Sequence, residues 1–209
     1  MSALSTIECH PITVAPGLSR LFLDLCDGDE RARAFYGGAA WGNDWHERPA
    51  VPAHWPELVE ILARQNPNAG AALAALRAGA GTVLTGQQVG LFGGPLFTPF
   101  KAATALARAR QATAAGRPHA AIFWLASEDH DFAEVNHVVF PGRQELRKLT
   151  YAAQPAAAVP VGSIVLDESI GPLLDEAVEL IGWSDALEAL TAAYQPGRTF
   201  AQAFADFYA

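Results

Sequence analysis

Basic residues are scarce in this chain: Lys and Arg together number 14 against 22 Asp and Glu, a formal net charge of −8. A groove that tracks phosphates or a polybasic membrane patch needs the opposite balance, so nucleic acid and membranes are excluded as expected partners. Cysteine is scarcer still. Cys9 and Cys26 form neither a CxxC pair nor a disulfide scaffold, and both read as reduced, structural thiols. Long apolar runs are missing: the longest, 120–126, is far too short to cross a bilayer, and the opening MSALSTIECHP has no basic n-region and no apolar h-region. The expectation is a soluble, cytoplasmic protein. Several catalytic signatures are absent as well. There is no G-x-S-x-G, no H-E-x-x-H, no Walker A loop and no G-x-G-x-x-G, which disfavours covalent serine catalysis and a zincin mechanism. No internal repeat marks a solenoid or propeller.

What remains is globular material: 209 residues, 51% hydrophobic and 17% charged, enough for a real core. Four blocks follow one another. Residues 1–70 form an irregular lead-in with short helices near 18–26 and 57–64, separated by a turn-rich segment whose tryptophans, Trp41, Trp45 and Trp55, read as packing anchors. In the second block, Leu73 and Leu76 mark a helix ending at Gly79 or Gly81, and Thr82-Val83-Leu84 reads as a short buried strand. A glycine-rich loop, TGQQVGLFGGP, leads to a helix over 98–115, with Thr98 as N-cap, Pro99 as first helical residue, Gly116 at the C-terminal end and Pro118 just beyond. AIFWLA then reads as a strand buried on both faces, completing a right-handed βαβ unit.

The third block offers weaker strands at 137–140 and 161–166, separated by a charged stretch and QPAAAVP. The fourth is helical: 172–181 stopped by Gly182, then 185–193, then a segment opening at Thr199, whose spacing to Gln202 is that of a capping box. Phe200, Phe204, Phe207 and Tyr208 fall on one face of that last helix. Such a face needs a partner, and two parallel strands make an incomplete sheet. Either the chain is the front part of a larger α/β protein, or the aromatic face packs back on the first block.

Ligands of open α/β sheets bind beyond the carboxyl ends of the strands, where both unusual loops lie. The first, from Thr85 to Pro95, allows two readings: a glycine cradle that brings backbone N–H groups to an anion, or a plain tight turn. Gln87 and Gln88 add amide donors and acceptors that a turn does not need. The second loop places Glu128, Asp129 and Asp131 around His130, after Ser127 and before Asn136 and His137. Carboxylates so close require an offsetting cation or donors. They either bind a divalent metal, directly or through ATP, or grip an amine and sugar hydroxyls while His130 moves a proton. His137 reads first as a satisfied strand histidine and second as a catalytic one.

TGQQVGLFGGPLFTPFKA followed by FWLASEDHDFAEVNHV resembles the signature of the BshC family, the cysteine-adding ligases of bacillithiol biosynthesis, and weaker likeness runs through GDERARAFY and YQPGRTFAQAF. The resemblance covers the whole chain but well under half of the family's length. It implies an α/β fold: a Rossmann-like parallel-sheet core, incomplete here, related to class I aminoacyl-tRNA synthetases and carrying a helical insertion. Residues 1–154 would be the N-terminal part of that core, 155–198 a helical connecting insertion and 199–209 the start of a further core helix, with the chain stopping short of the family's dimerising coiled coil. It further implies amide formation between cysteine and the amine of glucosaminyl-malate, both small-molecule substrates, with ATP and Mg²⁺ as activator and no resident metal. Carried over by position, Asp129, His130 and Asp131 would be catalytic. Thr85, Gln87, Gln88, Gly93, Gly94, Ser127, Glu128 and Asn136 would bind substrate or nucleotide. The first loop has no histidine between Thr85 and Lys101 and the chain has no KMSKS-like loop, so ATP follows from kinship alone. A metal-dependent hydrolase and a non-catalytic ligand-binding relative remain as other readings.

Overall fold

The computed structural model describes residues 8–35, 51–142, 144–153 and 159–209. Trp41, Trp45, Tyr36 and most of QPAAAVP lie outside the described residues. The chain divides into two compact units, Met1–Trp55 and Pro56–Ala209.

In the first unit, α1 (Arg20–Cys26) is capped by the Ser19 hydroxyl, which accepts from the Phe22 N–H. The next helix, α2 (Glu30–Ala34), is capped by the Asp29 carboxylate, which accepts from the Arg31 and Ala32 N–H groups. Cys9 and Cys26 are free and exposed, so they are not the packed thiols expected of structural cysteines.

The second unit carries the sheet. After α3 (Trp55–Gln65) and α4 (Gly70–Arg77), strand β1 (Gly81–Gln88) leads through the glycine loop to α5 (Phe97–Ala114) and on to β2 (His119–Ala126). Leu73 and Leu76 are the buried residues of α4, as their spacing predicts. β1 and β2 pair in parallel from Gly81↔His119 to Gln88↔Ala126. The two strands therefore end side by side, and the loops after them leave from one edge. Gly86 permits this pairing: a Cβ there would stand 2.7 Å from the Trp124 carbonyl oxygen.

Two expectations for this unit need correction. The strands are not buried on both faces: Leu84 and Trp124, which share a face through the register, are 64% and 58% exposed. Nor does Thr98 cap α5. A turn from Pro95, whose carbonyl accepts the Thr98 N–H, starts the helix at Phe97, so Thr98 is fully buried inside the first turn. The other end follows expectation, with Gly116 at φ 79° while its N–H and that of Arg117 close the last turn on the Thr113 and Ala112 carbonyls.

Beyond β2, a single turn of helix, α6 (Phe132–Val135), precedes an antiparallel hairpin of β3 (His137–Pro141) and β4 (Leu146–Thr150). β4 lies within the stretch read from sequence only as charged; of its five residues Leu149 alone is buried, so no apolar alternation announces it. The strand expected over 161–166 is instead a 3-10 turn, Val161–Ser163, followed by one bridge between Val165 and Thr199. Helices α7 (Ile170–Ile181), α8 (Asp185–Ala193) and α9 (Phe200–Tyr208) complete the chain, and the Thr199–Gln202 capping box is formed. No described helix is long and apolar enough to cross a membrane.

The main core packs against Phe123 and Leu125 of β2. It gathers Val89, Leu91 and Phe92 of the glycine loop with Leu149 and Tyr151 of the hairpin region and the inner faces of α7, α8 and α9. The aromatic face of α9 finds its partner there: Phe200 and Phe204 are fully buried, and the Tyr208 ring stacks on Phe123 of β2 at 5.7 Å.

Candidate active site

The glycine loop is held in an uncommon backbone conformation. Phe92, Gly93 and Gly94 have φ values of 51°, 83° and 76°. Glycine adopts this region freely, whereas a phenylalanine there costs on the order of 1–3 kcal/mol. Tyr194, at the end of α8, holds it in place. Its hydroxyl donates to the Gly90 carbonyl at 2.6 Å and accepts from the Gly93 N–H at 2.8 Å, while its ring meets Phe92 edge-on at 5.3 Å. Tyr208 adds a third bond, donating to the Gly93 carbonyl at 2.8 Å. Burial pushes the Tyr194 phenol far up and the Tyr208 phenol up to about 12, so both remain donors across the ordinary pH range.

This clamp bears on the two readings of the loop. The Gly93 N–H is taken by Tyr194 and the Gly94 N–H by the Leu91 carbonyl at 3.0 Å, so neither is free for an anion. Gly93 is required for packing instead: a Cβ there would stand 2.6 Å from the Phe207 ring. The geometry is that of a tight turn forming a cleft floor.

The acidic loop is pinned from behind. The Val161 N–H donates to the Asp129 carbonyl at 2.7 Å and the Gly162 N–H to the Ser127 carbonyl at 2.8 Å; a Cβ at Gly162 would lie 2.5 Å from the Ser127 Cβ. So held, the Asp129 carboxylate accepts from the His130 N–H at 2.7 Å and the Asp131 N–H at 3.4 Å, and from the Gln88 Nε2 at 2.5 Å. The same Nε2 donates to the Glu134 carboxylate at 2.9 Å. One neutral amide thus bridges two carboxylates across the ends of β1 and β2. The Gln88 amide, helped by the two backbone N–H groups, holds the Asp129 carboxyl below the usual carboxylate range.

Between the glycine loop and the α6–β3 segment opens a cleft of about 340 Å³, lined among others by Gln87, Gln88, Gly94, Glu134 and His137. Of the residues expected from sequence, Gln87, Gln88 and Gly94 line it, and Asp129 bonds the Gln88 amide without lining it. His130 is exposed beside Asp129, and its ring makes no hydrogen bond among the described residues. Thr85 lines a separate hollow against α5, and Gly93 is buried in the clamp. Ser127 backs onto Gly162, while Glu128 is exposed. Asp131 caps α6 by accepting the Glu134 N–H at 3.2 Å, and Asn136 donates to the Tyr151 carbonyl at 3.3 Å.

Three residues at the site were not singled out for it. Glu134 could have been found from the Asp131-x-x-Glu134 spacing, which marks a helix start and brings a fourth carboxylate to the loop. His137, read as a strand histidine, does lie on β3 and also lines the cleft, with Nδ1 3.3 Å from the Asn136 Oδ1. Lys101 reaches back from α5 to place its Nζ 2.6 Å from the Gln87 Oε1. Among the described residues no three His, Cys, Asp or Glu side chains gather as metal ligands, so the metal reading of the acidic loop finds no ligand set there.

Two carboxylates offset only by neutral donors form a site that attracts a cationic group. The family model described as "Bacillithiol biosynthesis BshC, N-terminal Rossmann-like domain" matches residues 7–209. BshC of Koribacter versatilis is 36% identical over 97% of this chain and 40% of its own length. BshC of Solibacter usitatus is 34% identical over 91% of the chain and 38% of its length, and that of Salinibacter ruber 34% over 88% and 37%. The names of all three propose a cysteine ligase. This chain spans about two fifths of the length of these curated relatives. With the model matching nearly all of the sequence, the chain belongs to the BshC family.

Proposed function

We propose that the cleft serves a ligase that joins the carboxyl group of cysteine to the amine of glucosaminyl-malate, forming the amide bond of bacillithiol, with ATP and Mg²⁺ driving the condensation. The observation that carries this reading is the Gln88 amide shared between Asp129 and Glu134. An amine entering as its ammonium form is attracted to those carboxylates and oriented by them. To attack a carboxyl carbon it must first lose a proton, and the exposed, uncommitted imidazole of His130 beside Asp129 is the base for that transfer. Asp129, kept ionised by Gln88, then stabilises the imidazolium. Asp131 and Asn136 keep this loop in shape through α6 and Tyr151.

Condensing a carboxylate with an amine in water is uphill, and the nucleotide would supply the activation, a phosphoanhydride bond breaking and the displaced carboxyl oxygen leaving on a cleaved phosphate as the amide forms. Gly93 and Gly94 have no free amide for its phosphates and shape the cleft floor instead. The same reading takes the sheet as kin to class I aminoacyl-tRNA synthetases, the protein as cytoplasmic, and the remaining length of the family as carrying a coiled coil that pairs two copies.

The test is synthesis by the full chain from cysteine, glucosaminyl-malate and Mg-ATP, followed by mass spectrometry. Bacillithiol is expected only with ATP present, and Asp129→Asn or His130→Ala is expected to lower kcat by about 10²–10⁴-fold, the range for a lost proton-transfer apparatus. Undiminished synthesis by both variants would remove the site assignment.

A further inference from the structure

Lys101 stands in a place where a lysine returns little to stability. It lies in the second turn of α5, and helical side chains lean toward the N-terminus, so its ammonium sits near the positive end of the helix dipole. It is half-buried, and among the described residues it makes no ion pair. Its recorded bond is to a neutral acceptor, the Gln87 Oε1 at 2.6 Å. An ammonium has three donors, so two remain uncommitted. Four carboxylates stand in the neighbouring loop and α6, yet among the described residues the ammonium pairs with no carboxylate. Lys101 lines the hollow against α5 and meets the cleft through Gln87, which lines it; the next residue, Gln88, is the one that bridges Asp129 and Glu134. The end of β1 thus separates a cationic side from an anionic side within two residues.

We propose that Lys101 determines substrate specificity by pairing with a carboxylate of the ligand whose amine meets Asp129 and Glu134, so that the cleft selects molecules carrying both groups. This inference rests on the ligase reading for its amine end. Gln87 positions the ammonium through its Oε1 and leaves its own NH2 free to donate to the same carboxylate. Both proposed substrates carry an amine and a carboxylate, and either fits this chemistry.

Two matched pairs of ligands test the idea on the full chain by calorimetry: cysteine against cysteamine, and glucosaminyl-malate against methyl glucosaminide, which lacks the malate carboxylates. In the native protein the carboxylated member of one pair is expected to bind at least tenfold more tightly than its partner. Lys101→Gln should abolish that preference by weakening the carboxylated ligand alone, and Lys101→Arg should keep most of it. The pair that responds identifies the molecule held. Equal affinity within both pairs for the native protein, or an equal loss for both members in Lys101→Gln, would overturn the proposal, as would an effect confined to the KM for ATP. The two readings fail separately. Bacillithiol synthesis with no Lys101-dependent preference sinks only this inference, whereas a Lys101-dependent preference without synthesis sinks only the ligase.

Discussion

Asp129 owes its acidity mainly to a neutral neighbour, the Gln88 amide, with backbone N–H groups of the same loop adding to it. A carboxyl whose folded pKa lies below its unfolded value stabilises the fold above the unfolded value, and that stabilisation is lost as pH falls through the folded one. Gln88→Ala should therefore move the Asp129 titration, followed by carboxyl-carbon NMR, upward toward 3.8, and narrow the acid range over which the loop keeps its native shifts. An unchanged Asp129 titration in that variant would show that the backbone donors alone set its acidity. Tyr194 makes the converse case, a buried side chain serving buried backbone. Tyr194→Phe keeps the ring against Phe92 but leaves the Gly90 carbonyl and the Gly93 N–H without their partner. Each orphaned group costs about 1–3 kcal/mol. Denaturant unfolding should register a loss of that order, and a loss within error of zero would mean that water replaces the hydroxyl.

At the scale of elements, the site exists because two loops leave one sheet edge and each is pressed from behind by a distant segment. The acidic loop depends on the 3-10 turn Val161–Ser163, where Gly162 admits the Ser127 backbone at a distance no Cβ allows. Gly162→Ala should push Ser127–Asp129 forward, lengthen the Gln88–Asp129 bond and raise the Asp129 pKa without touching a cleft residue. NMR shifts confined to residues 161–163 would contradict that coupling. Much of this arrangement was legible in the sequence. The paired strands, α5 with Gly116 behind it, α7 ending at Gly182 and the Thr199–Gln202 capping box all carry local signals, and all are present. What was not legible lacked a local signal. β4 buries one residue, the 161–166 segment looks apolar for reasons of core packing rather than strand pairing, and the closing of the glycine loop is decided by tyrosines about a hundred residues away. Gln88, Gln87 and Asp129 could be named from sequence, and Glu134 carries only the helix-start spacing to Asp131, whereas nothing local marks the ammonium of Lys101 that meets Gln87.

On the scale of the whole molecule, the cleft floor and the core are one structure. Val89, Leu91 and Phe92 belong both to the glycine loop and to the buried cluster that includes Phe200 and Phe204. A cleft built this way cannot open or reshape without disturbing the packing of α8 and α9, so it is preformed, and its affinity is tied to the stability of the domain. Phe204 tests this tie. It is fully buried, packs 5.0 Å from the Tyr208 ring and 6.3 Å from that of Phe123, and sits beside Gly94, where a Cβ would stand 3.7 Å from its ring. Phe204→Ala should cost about 3–5 kcal/mol of stability from lost burial and the residual cavity. Because α9 also carries Tyr208, whose hydroxyl anchors Gly93, the variant should in addition weaken substrate binding at a temperature where it is still folded. Calorimetric affinities below the unfolding transition separate the two effects. A variant that melts earlier yet binds with native affinity would show that the loop holds its shape without α9, and that the tyrosine of α8 alone is sufficient to form the cleft floor.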